Sequence, residues 1–462
     1  MNDSKSTADK SALLLIAAGL ALFIVCADWW SASVALPAMA DDLGVRTIDL
    51  QWVITGYVLT FCAMLGVAGP LGDRCGRKKL LLWGIAIFAV VSIWVGLATN
   101  ASMLVLARVT QGIGAGLIMP LATAVVSHAS SEKKLARNIA LLTGISMFGA
   151  AVGPVLGGFL TQYFSWRWIF FINIPICGLA FFMVSLFAEE SKDSAVQGRL
   201  DIAGIFLLLI GISAVSVGID RVPHWPMLGW LSLLMGGLLF LLAFAWWELR
   251  TQSPIVDFRM FQNRRFVGFT LGGLAGNSAW CVLVFGSTLQ LQQVLDYEVL
   301  NAGLFFLFLS GSVAIASFIA PLLEQRLGTK SLMWIGLICQ VTGIGLLFLF
   351  DSELPLASGM LIAGVGCSWT WAMPQAGAIK ELPREKVGLA SGTVLTVMVM
   401  GGNTAIVIIA MIIDLYPKTK AGEASGIQAG FLLASLTALL GLIVTVGMLK
   451  GSQPLPPSET TS

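Results

Sequence analysis

The chain has 462 residues, of which 57% are hydrophobic and 11% charged, with a net charge of +2 and a mean hydropathy of +0.88. Soluble domains carry about 25% charge, so this composition excludes a soluble globular protein and describes an integral membrane protein. Seven cysteines (Cys26, Cys62, Cys75, Cys177, Cys281, Cys339 and Cys367) are scattered singly, with neither metal-ligand spacing nor a disulfide framework.

A membrane span needs about 20 apolar residues. Runs of that kind are centred on Leu22, Thr60, Ala89, Ala115, Ala150, Gly178, Gly211, Leu238, Gly276, Ser312, Cys339, Gly366, Met400 and Leu439. They predict fourteen helices and an all-α polytopic fold. The first run continues through Asp28 to Pro37 without a small-residue cleavage pattern, so it reads as helix one and not as a signal peptide.

Helix one carries Asp28 beside Trp29 and Trp30, and helix four carries Arg108. Charges in a bilayer cost about 2.5–3.5 kcal/mol on insertion scales and mark function. Counting back from the outer helix ends at about 1.5 Å per residue puts both charges roughly 9–13 Å below the outer surface. Tyr57 on helix two and Asn173 on helix six fall at similar depth, which suggests one shared cavity. Gln111 and Gly112 share the face of Arg108 one turn on. Burial favours the neutral form of Asp28 and a nearby Arg108 favours the carboxylate, so the pair suits exchange of a proton for a cation. A fixed structural ion pair is the alternative.

Helix five contains GAAVGPVLGG, Gly149 to Gly158. Gly149, Gly153 and Gly157 lie at i, i+4 and i+8 on one face, Gly158 follows, and Pro154 removes a helical hydrogen bond. This run reads either as a hinge or as a small-residue packing seam.

Charged connectors at Glu189–Leu200 and Glu248–Arg265 bracket helices seven and eight. The predicted organisation is a first six-helix half (1–188), a linker with two additional spans (189–265), a second six-helix half (266–450) and a tail (451–462). APLLEQRLGTK, Ala320 to Lys330, echoes GPLGDRCGRKK, Gly69 to Lys79, at the corresponding place in the first half. Such internal repeats build alternating-access transporters. Among the tryptophans, Trp29, Trp30, Trp52, Trp280, Trp369 and Trp371 are candidates either for a cavity that reads lipophilic cations or for interfacial belts. Trp30, next to Asp28, is the leading cavity candidate. Asn277, Gln340, Gln375 and Asn403 are polar groups inside second-half spans, lining a pathway or satisfying bent backbone. Helices nine to thirteen carry no deep acidic residue. His128 and His224 fall in loops with no assigned role.

Lysine and arginine orient the chain. Twenty-one lie in the loops and tails of one side and five (Arg46, Arg167, Arg221, Lys418 and Lys420) on the other, with Arg108 inside a span. The basic side is predicted to be cytoplasmic, with both termini inside.

Three stretches resemble the major facilitator superfamily: GPLGDRCGRKKLL (Gly69 to Leu81), LVLARVTQGIGAG (Leu104 to Gly116) and GAAVGPVLGG. With fourteen spans, ADWWSASVALP (Ala27 to Pro37) and WRWIFFINIP (Trp166 to Pro175), the chain is similar to the fourteen-helix drug/proton antiporter branch. The resemblance implies the major facilitator fold, with two six-helix halves and a central helix pair. It implies proton coupling through Asp28 and Arg108, and a substrate cavity at Trp30, Tyr57, Gln111 and Asn173. It further implies a cytoplasmic gate at Gly69, Asp73, Arg74, Gly76, Arg77 and Lys78, and a hinge at Gly149, Gly153, Pro154, Gly157 and Gly158. The family pattern has Thr and Asn where this chain has Trp30 and Ser33, which bears on pocket size.

The expected function is proton-coupled efflux of amphipathic compounds, cationic ones foremost, across the cytoplasmic (inner) membrane, with substrate, protons and bilayer as partners. No cofactor beyond the proton gradient, no metal, no nucleic acid and no obligate protein partner is expected. Export of a siderophore or other metabolite on the same fold is the alternative, and a non-transporting receptor is the alternative of a different class. No paired carboxylates, nucleophile–histidine set or phosphate loop points to an enzyme.

Overall fold

The computed structural model describes residues 2–130, 132–192, 201–251, 254, 256, 258–350, 352–382 and 387–450. Of the features expected above, the 451–462 tail and parts of the two charged connectors (193–200, 252–253, 255 and 257) lie outside the described residues.

Fourteen helices are long and apolar enough to cross a membrane. They are α1 (Asn2–Leu43), α2 (Trp52–Cys75), α3 (Arg77–Gly96), α4 (Ala101–His128), α5 (Glu132–Tyr163), α6 (Trp168–Phe187) and α7 (Ile202–Asp220). The others are α8 (Met227–Glu248), α9 (Arg264–Leu289), α10 (Val299–Leu327), α11 (Thr329–Leu349), α12 (Glu353–Lys380), α13 (Val387–Leu415) and α14 (Lys420–Leu449). No strand occurs among the described residues. With no water in the bilayer core, a helix satisfies its own backbone groups, which is why near-uniform apolar runs take this form.

Two departures from continuous helix have identifiable causes. α6 breaks at Ile172 and restarts at Asn173. Pro175 has no N–H to donate to the Phe171 carbonyl and its ring crowds it, so the ladder cannot pass. α9 runs on into a π turn over Gln290–Val294, where three glutamines take the chain out of the apolar layer.

Helix α1 packs on α4, α5 and α6, and α2 on α4; α9 packs on α12, α13 and α14, and α11 on α12 and α14. Glycines set the closest approaches. A Cβ on Gly149 would lie 2.4 Å from the Phe23 carbonyl, one on Gly153 2.8 Å from the Ala27 carbonyl, and one on Gly157 2.7 Å from Ser31 Cα. Those three glycines therefore seat α5 against α1 within one half, and Ser31 Oγ donates to the Gly153 carbonyl at 2.6 Å. A Cβ on Gly158 would instead lie 2.8 Å from the Val299 carbonyl of α10, and one on Gly303 2.5 Å from the Pro154 carbonyl. Thus the same ten-residue run holds a seam inside one half and a contact to the other.

The α7–α8 pair packs to the side. α7 touches α2 and α13, one helix from each half. α8 is the least buried of the fourteen spans, with 11% of an 18-residue stretch buried against 72% for α9.

Hydrogen bonds joining the two halves gather at the end opposite the termini. Gln162 Nε2 donates to Glu298 at 2.7 Å, and its Oε1 accepts from the Leu300 N–H at 2.9 Å. Gln292 and Gln293 of the π turn donate to the Val34 carbonyl and to Thr47 Oγ1, at 2.7 and 2.5 Å. Arg46 Nη1 pairs with Asp414 at 2.7 Å. Ser310 Oγ donates to the Ala151 carbonyl nearer mid-depth. The seam is hydrogen-bonded and closed at that end.

Candidate functional site: a buried ion pair behind an aromatic cavity

Asp28 and Arg108 meet in the first half, both side chains fully buried, with Arg108 Nη1 2.6 Å from Asp28 Oδ2. Burying two charges costs several kcal/mol each unless further hydrogen bonds satisfy them, and groups on α2, α4 and α6 supply those bonds. Asn173 Nδ2 of α6 donates to Asp28 Oδ1 at 2.8 Å. Gln111 Oε1 accepts from Arg108 Nη1 at 2.6 Å, and the Val53 carbonyl of α2 accepts from Arg108 Nε at 3.2 Å. Ser92 of α3 ties the second tier, accepting from Gln111 Nε2 at 2.8 Å and from Asn173 Nδ2 at 3.1 Å. Its own proton goes to the Phe88 carbonyl.

The guanidinium also lies on ring faces, with its carbon 4.2 Å from the Tyr57 centroid and 5.5 Å from that of Phe170. Arg108 Nη2, Tyr57 Oη and Asn173 Oδ1 are buried without a hydrogen-bond partner among the described residues. Local sequence explains this arrangement. A Cβ on Gly112 would fall 2.3 Å from the Tyr57 carbonyl, and one on Gly116 2.5 Å from the Phe61 carbonyl. Bare backbone on α4 thus brings α2 close enough for the Tyr57 ring to cover Arg108.

Beside this pair lies a cavity between the halves, lined by Trp29, Trp30 and Phe61 from one half and by Trp280, Phe285 and Trp371 from the other. Its polar lining consists of Ser33 and Asn277, with the thiols of Cys26 and Cys281; no charged side chain borders it. Rings run across the interface, with the centroids of Trp30 and Trp280 5.5 Å apart and those of Trp280 and Trp371 5.9 Å apart. Asn277 Nδ2 donates to the Met398 carbonyl.

The expected residues therefore divide. Trp30 lines the cavity. Tyr57, Gln111 and Asn173 do not; they enclose the ion pair, because α2, α4 and α6 turn those side chains toward Arg108 and Asp28 and away from the interface. Trp369 donates to the Ala316 carbonyl and is core, while Trp52 borders a polar pocket at the far end. Gln340 donates to the Gly276 carbonyl and Gln375 to the Trp371 carbonyl, so both serve backbone. Asn403 is buried on α13.

The basic loop between α2 and α3 is held within its own half. Arg77 Nε pairs with Asp73 one turn back at 2.7 Å, and Lys78 Nζ donates to the Ser185 carbonyl. Gly76 has φ 108°, where a side chain is strained, and a Cβ there would lie 2.6 Å from the Glu190 carboxylate. Glu190 accepts from the N–H groups of Lys78 and Lys79, both at 3.1 Å, placing an acid on the positive end of α3. Arg74 is half-buried, and Gly69 has open space where a side chain would stand.

Sequence reasoning missed Ser92, Glu190 and His224. Ser92 was detectable as a hydroxyl inside the apolar run of helix three, and Glu190 as an acid just after helix six. His224 Nε2 lies 2.6 Å from Asp414 Oδ2, beside Arg46, an approach that only the folded loops create. Among the described residues no group of three or more His, Cys, Asp or Glu side chains is placed to hold a metal.

A family model described as Major Facilitator Superfamily matches residues 18–405. The multidrug resistance protein Stp of Mycobacterium tuberculosis is 30% identical over 418 residues, covering 87% of this chain and 75% of that protein. A lincomycin resistance protein of Streptomyces lincolnensis is 30% identical over 435 residues, covering 91% and 89%. Among solved structures, a bacterial homologue of the lysosomal transporter Spinster, in an inward-facing, unoccupied conformation, matches with a TM-score of 0.71 at 14% identity over 97% of this chain and 99% of that one. The nucleoside transporter NupG matches with a TM-score of 0.68 at 13% identity over 95% of this chain and 100% of that one.

Proposed function

The chain belongs to the major facilitator superfamily, a transporter and not an enzyme, and on that premise we propose that it expels amphipathic, drug-like compounds in exchange for protons. One observation carries this reading: a fully buried carboxylate–guanidinium pair set directly behind an aromatic cavity between two halves. Relatives named for resistance to antibiotics support the substrate class. Six ring-bearing walls suit flat lipophilic molecules, and a single positive charge is read by ring faces. An uncharged lipophilic metabolite is the second reading, favoured by the absence of a charged group in the lining.

With the basic loops in the cytoplasm, both termini are inside and the hydrogen-bonded seam closes the outer side of the cytoplasmic membrane. Substrate then enters from the cytoplasm or inner leaflet while Asp28 gives up its proton. The halves rock, substrate leaves outward, and an external proton reloads Asp28. The proton gradient is the energy source and no cofactor or obligate protein partner takes part. For an uncharged cargo, one proton moved inward through ~100 mV supplies about 2.3 kcal/mol, enough for a gradient of roughly fifty-fold; exchange of one proton for one singly charged cation is electroneutral and is driven by the pH difference.

The test is proton release from acidified, protein-loaded membrane vesicles on addition of ethidium or tetraphenylphosphonium, in wild type and Asp28→Asn. Release in wild type alone supports antiport through Asp28. Silence toward both cations, with folded protein present, overturns cation antiport and turns the reading to uncharged metabolites.

A further inference from the structure

Between the cavity and the ion pair stands a three-ring wall. Trp29 and Phe61 line the cavity, whereas Tyr57 does not. Tyr57 stacks on Phe61 with an interplanar angle of 6° and centroids 6.1 Å apart. Trp29 meets both edge-on, at 6.0 Å from Tyr57 and 5.7 Å from Phe61. The Arg108 guanidinium carbon lies over the Tyr57 ring, 4.2 Å from its centroid. A molecule in the cavity therefore touches two rings that position the third, and the third touches the cation paired with Asp28.

Arg108 is provided for whether or not Asp28 is charged. Gln111, the Val53 carbonyl and the Tyr57 face hold the guanidinium independently of the carboxylate. Its Nη2 has no hydrogen-bond partner among the described residues, so a donor is left over for a second bond to the carboxylate. Bidentate arginine–carboxylate pairs are stronger than single ones. Two arrangements are thus built in: guanidinium held on the ring, or guanidinium drawn fully onto Asp28.

We propose that the Tyr57 ring competes with the Asp28 carboxylate for the Arg108 guanidinium, and that a substrate seated against Trp29 and Phe61 decides the competition. This deepens the proton-antiport reading above and rests on it. Protonated Asp28 leaves Arg108 dependent on the ring. Substrate that displaces the Trp29–Phe61–Tyr57 stack weakens that hold, and Arg108 turns to Asp28. The Asp28 O–H bond then breaks, the proton passes to solvent water, and the carboxylate takes the guanidinium. Other titratable groups facing this site are Cys26 of α1 and Cys177 of α6, both thiols; α3 contributes the neutral Ser92 and α4 the neutral Gln111. Tyr57 is a positioning residue here, and its ring rather than its unpartnered hydroxyl carries the role.

The experiment replaces Tyr57 without changing its shape. Tyr57→Phe is the reference, followed by phenylalanines bearing one, two and three ring fluorines, which drain the ring face of electron density. Purified full-length transporter is titrated, and ethidium-triggered proton release is followed with a pH dye. Each fluorine is expected to lower the proton affinity of the empty transporter by about twofold. The pH midpoint of release moves down stepwise and the ethidium-triggered burst at fixed pH shrinks, while ethidium affinity measured above the midpoint, where the proton is already gone, stays constant. A midpoint that does not move along the series, with wild-type release intact, overturns the proposal and leaves antiport standing. Wild type that releases no proton on ethidium instead overturns the antiport reading itself. Tyr57→Leu adds a second measurement: ethidium binding retained with the burst lost supports the competition, and a full burst overturns it.

Discussion

Arg108 Nη1 sits 2.6 Å from Asp28 Oδ2 and 2.6 Å from Gln111 Oε1, so one nitrogen serves an acid and a neutral amide at once. Loss of the carboxylate's charge removes the first partner and leaves the second in place. Protonation of Asp28 is therefore tolerable to the cation beside it, which a simple buried pair would not allow.

Asp28→Asn is expected to abolish proton coupling while folded protein persists. Removing one member of a buried pair costs about 3–5 kcal/mol, and the Gln111, Val53 and Tyr57 contacts reduce that loss. Asp28→Asn with Arg108→Met should regain much of the stability and none of the coupling. Thermal unfolding in detergent and vesicle proton release measure the two separately; coupling in either variant would remove Asp28 from the mechanism.

Gly153→Ala places a methyl group 2.8 Å from the Ala27 carbonyl and 2.8 Å from Trp30 Cβ. Overpacking of this kind costs about 1–3 kcal/mol, and here it also pushes on a cavity residue. Gly144→Ala on the same helix meets nothing within 4 Å and should leave unfolding unchanged or slightly higher. Equal melting temperatures for the two variants would contradict the seam.

Trp30→Leu should raise the KM for flat aromatic substrates several-fold through lost stacking and cation–π contact. The pH midpoint of proton release should stay where it is, because Trp30 is outside the three-ring wall. A shift of midpoint without a change in KM would reverse those roles.

Asp414→Asn weakens a joint that unites both halves and the α7–α8 pair, since Asp414 meets Arg46 at 2.7 Å and His224 at 2.6 Å, together with Lys418. Distances between spin labels on the rims of the two halves at the end opposite the termini should lengthen in a larger fraction of molecules, by roughly fivefold for a loss of about 1 kcal/mol. An unchanged distance distribution would show that the glutamine contacts alone hold the seam.

Glu381, just beyond α12, is held above the usual carboxylate range by burial, with the Arg265 guanidinium 3.0 Å away acting against it. The folded chain thus binds this proton more readily than the unfolded one. Its contribution to stability is full at acid pH and declines as pH rises through the raised value. Glu381→Gln should flatten that part of the stability–pH curve, as followed by denaturant unfolding across the acid range.

Depth was legible in the sequence and azimuth was not. Asp28, Arg108, Tyr57 and Asn173 stand out because polar side chains interrupt apolar runs at similar distance from the helix ends. Which way each faces depends on the rotation of its helix, and that rotation is fixed by contacts such as Gly112 against the Tyr57 carbonyl, between residues far apart in the chain. Hence Tyr57, Gln111 and Asn173 were expected in the cavity and stand behind it. Ser92 was visible as a hydroxyl but its role was not: a hydroxyl in an apolar helix satisfies itself on the preceding turn, as it does on Phe88, and only the fold adds two amide donors. The fourteen spans needed no such information, since a bilayer leaves a long apolar segment little else to become.

Amide groups supply most of the hydrogen bonds that fasten the seam at the end opposite the termini. In the proposed cycle each of Gln162, Gln292 and Gln293 would give up a protein acceptor as the halves part and find a water molecule in its place, an exchange that nets only about 0.5–1.5 kcal/mol per bond. A greasy zipper in the same position would have to wet its apolar surface with every opening. In the proposed exchange cycle, glutamine would make this door easy to swing in both directions, its closure resisting leakage without becoming a trap and the turnover rate being left to the cargo and the proton.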